Sequence, residues 1–268
     1  MLNMKRKILI AGNWKMYKSK DEALEFIYQI NTKIPSFEQI ETIIFPQFTL
    51  LDSLIQREGS KLQIGAQNTF HKTEGPFTGE VSPANLKQLG VKYVLLGHSE
   101  RINLFYETYE LINLKILTSL KEKLKIILCI GENFKIKEMK KKELFLAEKL
   151  KKLFSGVSLL DVKNIVIAYE PSWSIGTGKI DNLFDINQII KFIRKKISQF
   201  FSLEIANEIR IIYGGSVNFS NIKNILEQKE IDGVLVGNSS LKVKDFLFLT
   251  EIAKKVALNK NNFYNKKI

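Results

Sequence analysis

Cysteine and histidine are scarce in this chain of 268 residues: Cys129 stands alone, and only His71 and His98 carry imidazoles. A lone cysteine excludes an intramolecular disulfide framework and favours a reducing compartment, so the cytoplasm is the expected location. Two histidines without a neighbouring carboxylate pair give no recognisable metal-ligand spacing, and cofactor-free chemistry is expected. No run of about eighteen apolar residues occurs, so no transmembrane helix is indicated. The run Ile8 to Ala11 behind Lys5, Arg6 and Lys7 is too short for a signal-peptide core and reads as a first strand. Tandem duplication and low-complexity linkers are also missing, which predicts one domain over 1–258 and a polar, basic tail over 259–268 that frays. Acidic residues are fewer than basic ones, 28 against 41, for a formal net charge of +13. Such a balance admits a nucleic acid or an acidic membrane as partner. Lysines scattered as at Lys135, Lys137, Lys140, Lys141, Lys142, Lys149, Lys151 and Lys152 read instead as a solvated surface. No specific nucleic-acid partner is expected.

What the chain does have is a repeated pattern. Short, β-branched apolar runs recur at Lys7 to Ala11, Thr42 to Phe45, Leu62 to Ala66, Tyr93 to Leu96, Lys125 to Ile130, Ile165 to Tyr169, Ile209 to Tyr213 and Val234 to Val236. Between them lie segments of helical spacing, such as Leu24, Ile27, Tyr28 and Ile30, or Ile186, Ile189, Ile190, Ile193 and Ile197. Eight such units in this length predict a single-domain α/β fold, a (β/α)8 barrel, with a doubly wound open sheet as the alternative. The chemistry-bearing residues favour the barrel. Asn13 and Lys15 follow the first run, Gln67 and Asn68 the third, His98 the fourth, Glu132 the fifth, Glu170 the sixth, Ser216 the seventh, and Gly237 with Asn238 the eighth. A barrel gathers those strand ends on one rim, whereas an open sheet spreads them along a line.

Glu170 ends a run buried on both faces and precedes a loop bearing Pro171, Trp173, Gly176 and Gly178. Low-dielectric surroundings favour a general base there, and the glycines suit a lid that moves as a unit. Glu100 and Glu132 compete for the same role, but neither is followed by a lid-like loop. His98 sits in Gly97-His98-Ser99-Glu100-Arg101, where a helix start near Ser99 disfavours imidazolium and leaves a neutral ring able to donate to an oxyanion. A half-buried histidine satisfied by backbone is the alternative on that motif alone. His71 is expected on an exposed loop, and Cys129 as a small buried hydrophobe. Tyr213-Gly214-Gly215-Ser216-Val217 and Gly237-Asn238-Ser239-Ser240 both offer backbone N–H groups as an anion cradle. Lys15, spaced i, i+2 from Asn13, would add a fixed cation at the rim.

Taken together these motifs resemble the triosephosphate isomerase family from Ala11 to Leu241. They are Gly12-Asn13-Trp14-Lys15-Met16, Gly65-Ala66-Gln67-Asn68, Phe77-Thr78-Gly79-Glu80, Gly97-His98-Ser99-Glu100-Arg101, Cys129-Ile130-Gly131-Glu132, the segment around Glu170, and Tyr213-Gly214-Gly215-Ser216-Val217. The resemblance implies a TIM barrel that interconverts dihydroxyacetone phosphate and D-glyceraldehyde 3-phosphate through an enediolate, without cofactor. It implies Glu170 as base, His98 as neutral acid, Lys15 as charge balance and Asn13 as a substrate-orienting group. It also implies phosphate held at Gly176, Ser216, Gly237 and Asn238. A homodimer is implied through the loop Asn68 to Glu80, with Thr78 as its foremost contact. The chain departs from the family pattern at Asn238, in place of a glycine, and at Ile102, in place of an arginine expected to pair behind the histidine. It also departs at Ser172, Ser174 and the Ile180-Asp181 hinge of the lid.

Overall fold

The computed structural model describes residues 6–139, 141–174 and 182–265. Among these the strands are β1 Leu9–Asn13, β2 Glu41–Phe45, β3 Gln63–Ala66, β4 Tyr93–Leu96, β5 Lys125–Ile130, β6 Ile165–Tyr169, β7 Ile211–Tyr213 and β8 Gly233–Val236. All pair in parallel in sequence order, and β8 closes on β1, with Ile10 opposite Val234. The (β/α)8 barrel therefore replaces the open sheet as the architecture. The helices are α1 Lys20–Ile30, α2 Leu51–Ile55, α3 Pro83–Leu89, α4 Ser99–Phe105, α5 Tyr109–Lys121, α6 Phe134–Glu138, α7 Lys142–Leu153, α8 Leu183–Phe200, α9 Leu203–Glu208, α10 Ile222–Glu227 and α11 Val243–Asn265. The segment expected as a tail from Asn259 is helical as far as Asn265, and Lys260 Nζ donates to Gln228 O at 3.0 Å. Lysine and asparagine are tolerated within helices, so the polar composition does not by itself end α11.

Each strand divides its side chains by period two. Leu9, Ala11, Ile43, Phe45, Tyr93, Leu95, Ile127, Cys129, Val166, Ala168, Ile212 and Leu235 fill the barrel interior. The alternate residues, such as Ile10, Ile44, Ile126, Leu128, Ile165 and Ile167, join the helices in a second, outer core. The helical spacing read in α8 is the face that meets this sheath, because Ile186, Ile189, Ile190, Ile193 and Ile197 are all buried. Tyr28, read with the apolar stripe of α1, is instead 79% exposed, and Phe26 takes the inward position.

At the amino-terminal mouth of the barrel, the Tyr93 hydroxyl donates to Glu41 Oε1 at 2.9 Å, and Arg210 pairs with both. Burial pushes the Tyr93 phenol well above its usual range. Alternation also sets what stands at the opposite mouth. Continuing Leu9 and Ala11 leads to Asn13, and continuing Val166 and Ala168 leads to Glu170.

Candidate active site

Strand β1 runs one turn of alternation further than its apolar pattern, so Asn13 is its last residue rather than a loop residue. Asn13 is buried, and its Oδ1 accepts the Lys15 N–H at 3.0 Å. That contact supports Lys15 at φ 52, in the left-handed region that few residues other than glycine adopt, and the strain is offset by further bonds. Gln67 Nε2 donates to Lys15 O and to Phe45 O, both at 2.8 Å, so the residue after β3 fixes the backbone after β1. The Lys15 ammonium meets Glu100 Oε1 at 2.5 Å.

His98 is the N-cap of α4. Gly97 turns the chain there at φ +73, and a Cβ on it would come 2.9 Å from Cys129 O. The imidazole Nδ1 accepts the Glu100 backbone N–H at 3.2 Å, so the ring hydrogen belongs on Nε2. Nε2 faces Glu170 Oε1 at 3.6 Å. Both residues are buried, 5% and 4% exposed, so the pair sits in a low-dielectric setting.

The position of Glu170 is fixed by close backbone packing. Its N–H donates to Ile130 O at 2.7 Å, and Gly214 N–H donates to Tyr169 O at 2.8 Å. A Cβ on Gly131 would fall 1.7 Å from Glu170 O, and one on Gly214 would fall 2.5 Å from Glu170 Cγ. The two other carboxylates take different work. Glu132 lies on the outward register of β5, where Tyr169 Oη reaches both its oxygens at 3.1 Å and Trp173 Nε1 reaches Oε1 at 3.3 Å. It anchors the segment just after β6, together with the Ser172 N–H to Glu132 O bond at 3.0 Å. Glu100 is 41% exposed in its side chain and holds Lys15. Neither points at His98 Nε2 as Glu170 does. Sequence reading missed Glu100 as the partner of Lys15 and Gln67 as its support. The only signal for either was its place just after a strand.

The two glycine-bearing turns lie side by side, because Ser239 Oγ donates to Val217 O at 3.0 Å. Gly237 packs on Lys15, whose Cε would be 3.6 Å from an added Cβ. Asn238 opens the 3-10 turn Asn238–Ser240 and is absent from the residues with positive φ, so the asparagine adds no backbone strain there. Ser216 N–H meets Ser174 Oγ at 3.4 Å, joining the segment after β6 to the turn after β7. Gly176 and the Ile180-Asp181 hinge lie outside the described residues.

Two expectations change. His71 is half-buried rather than exposed: its ring lies 4.2 Å from that of Phe70, and burial, then Lys72, lowers its pKa. The ion pairing expected to be lost at Ile102 is present through other residues. Arg101 Nε bonds Glu107 Oε1 at 2.6 Å, and buried Lys115 bonds the same oxygen at 2.5 Å and Asn68 Oδ1 at 2.9 Å. Cys129 is buried as expected, and burial raises its thiol well above the usual range, with Glu170 next in effect. Among the described residues no three His, Cys, Asp or Glu side chains gather closely enough to hold a metal ion, and no helix is long and apolar enough to cross a membrane.

A family model described as triosephosphate isomerase matches residues 8–253. The triosephosphate isomerase of Aster yellows witches'-broom phytoplasma (strain AYWB) is 54% identical over 250 residues, covering 93% of this chain and 91% of the relative. That of Onion yellows phytoplasma (strain OY-M) is 54% identical over the same length, with the same coverage.

Proposed function

This chain belongs to the triosephosphate isomerase family, and from that membership we propose how its own residues perform the interconversion of dihydroxyacetone phosphate and D-glyceraldehyde 3-phosphate. The enzyme is an isomerase of glycolysis. Glu170 removes a proton from the carbon beside the substrate carbonyl, and the C–H electron pair becomes the enediolate double bond. His98 Nε2–H gives its proton to the oxygen that gains charge and takes one from the neighbouring hydroxyl, whose O–H electron pair forms the new carbonyl as Glu170 returns the first proton to the carbon that bore the old one. Lys15 offsets the negative charge of phosphate and enediolate. Asn13 orients the substrate and holds Lys15 through its own Oδ1. Backbone N–H groups at Ser216, Gly237 and Asn238 receive the phosphate, with Gly176 of the lid as a further contact. Closing the lid would keep water from the enediolate.

The observation that carries this reading is the approach of His98 Nε2 to Glu170 Oε1 at 3.6 Å, both buried at the same rim as Lys15. Replacing Glu170 by Gln keeps the volume and removes the base. The expected result is a fall in kcat/KM of about 10² to 10⁴ with triose phosphate binding retained. Undiminished turnover in Glu170→Gln would assign the base elsewhere.

The working form we infer is a cytoplasmic homodimer. Supporting it, Met16 (85% exposed), Tyr17, Phe77, Leu104, Phe105 and Tyr106 present apolar surface after β1, β3 and β4. Those three strands are neighbours or near neighbours in the barrel, so their loops share one side of the rim. Thr78 is exposed at the tip of the loop Asn68 to Glu80. Lys115 pins the base of that loop through Asn68.

A further inference from the structure

Lys149, on the inner face of α7, is a charged group for which the reaction above has no use. It is 4% exposed, and its Nζ donates to Gly131 O at 3.3 Å. Gly131 is the residue whose missing Cβ lets the backbone of Glu170 approach. Lys149 and Glu170 line the same cavity of about 180 Å³, together with Gly131, Tyr109, Ile136 and Phe145. Glu170 Oε2 is buried and has no hydrogen-bond partner among the described residues.

A buried ammonium held by one long carbonyl bond is a poor source of stability. Removing it from water costs several kcal/mol, and an apolar side chain of similar volume would fill the space better. Its neighbours give the charge a different use. The groups facing it are Glu170 from the end of β6, Glu132 and Gly131 O from the turn after β5, Cys129 from β5, and the Tyr109 ring from α5, 5.0 Å from Nζ. Burial lowers the Lys149 pKa to about 8, against the opposing pull of Cys129, Glu170 and Glu132, so it remains mostly protonated at neutral pH.

We propose that Lys149 is a positioning residue for the general base: its buried cation, on the wall of the cavity that Glu170 also lines, holds that side chain as a carboxylate before substrate arrives. The proposal rests on Glu170 being the base. Lys149 Nζ donates to Gly131 O and to none of Asn13, Lys15, Ser216, Gly237 or Asn238, so in this proposal it acts on the ionisation of Glu170 and leaves phosphate binding alone.

The test is the pH dependence of kcat/KM for isomerisation in native protein and in Lys149→Met, Lys149→Gln, Lys149→Arg and Glu170→Gln. Lys149→Met and Lys149→Gln are expected to move the acid limb about one pH unit upward, read as about tenfold lower kcat/KM on that limb, with KM little changed. Glutamine can still donate to Gly131 O, so a shift in that variant belongs to the lost charge and not to the lost bond. Lys149→Arg keeps the charge, has the adjoining cavity to enter, and should restore the native limb. An unmoved limb in both neutral variants overturns the proposal, as does a loss of thermal stability with an unchanged profile. If the neutral variants do not fold, the carboxyl resonance of Glu170 in native ¹³C-labelled protein decides. A second inflection near pH 8, where Lys149 loses its proton, supports the coupling, and its absence overturns it. Full activity in Glu170→Gln would overturn the reading of the base itself, a distinct outcome.

Discussion

Glu170, Glu100 and Glu132 are chemically alike, and all three follow a strand in a polar motif. What separates them is register and contact. Glu170 continues the inward series Val166, Ala168 and faces His98, whereas Glu132 continues the outward series and is fully occupied by Tyr169 and Trp173. Backbone packing against Gly131 and Gly214 leaves Glu170 little room to stand anywhere else. Lys149 carries a stability prediction at this scale. Its folded-state pKa is about 8 against an ordinary 10.5, so between those values the unfolded chain binds more protons and stability rises with pH. Below about pH 8 both states are protonated, and the full penalty of roughly 3 kcal/mol is present. Lys149→Met should remove that dependence: chemical denaturation from pH 7 to pH 10 should show native stability gaining on the variant's as pH rises.

At the scale of elements, the alternation of β-runs and helical stripes made the barrel legible before any coordinate. Strands β4, β5 and β6 begin and end where their apolar runs do, because Gly97, Gly131 and Glu170 stop those runs. Strand β1 was placed two residues early, since Asn13 is polar but still pairs with Phe45 opposite. The run opening at Ile209 overreached, because Ile209 caps α9 and β7 starts at Ile211. The main site residues were legible as positions after strands. Their partners were not, because Glu100 to Lys15, Gln67 to Lys15 and Lys149 to Gly131 are contacts between units that no spacing along the chain encodes. Arg194 is another such contact. It ties α8 to Glu230 and Asp232 at 3.1 Å each, and to the Ile209 carbonyl at 2.8 Å. Arg194→Ala would leave Glu230 and the Ile209 carbonyl without their cation, while Arg6 still holds Asp232 at 2.7 Å. A loss of about 3 kcal/mol is expected in urea unfolding.

For the whole molecule, the +13 charge and the exposed apolar side chains answer to different partners. Dispersed lysines suit a solvated surface, while Met16, Phe77 and Tyr106 stand exposed after β1, β3 and β4 at the carboxyl-terminal rim of the barrel. Sedimentation velocity should give a dimer for the native chain, and Phe77→Asp should shift it toward monomer. The activity of that variant should fall with the dimer, because the loop after β1 that carries Lys15 belongs to the same surface. A native protein that sediments as a monomer at micromolar concentration while fully active would contradict the inferred assembly.

The catalytic reading depends on one claim, that Glu170 moves the proton. Exchange of the carbon-bound hydrogens of dihydroxyacetone phosphate in D2O, followed by proton NMR, reads that transfer without requiring net isomerisation. The native enzyme should exchange the transferable hydrogen rapidly, and Glu170→Gln should slow exchange by about 10² to 10⁴ while His98 and Lys15 remain in place. Exchange at the native rate in Glu170→Gln would contradict the account.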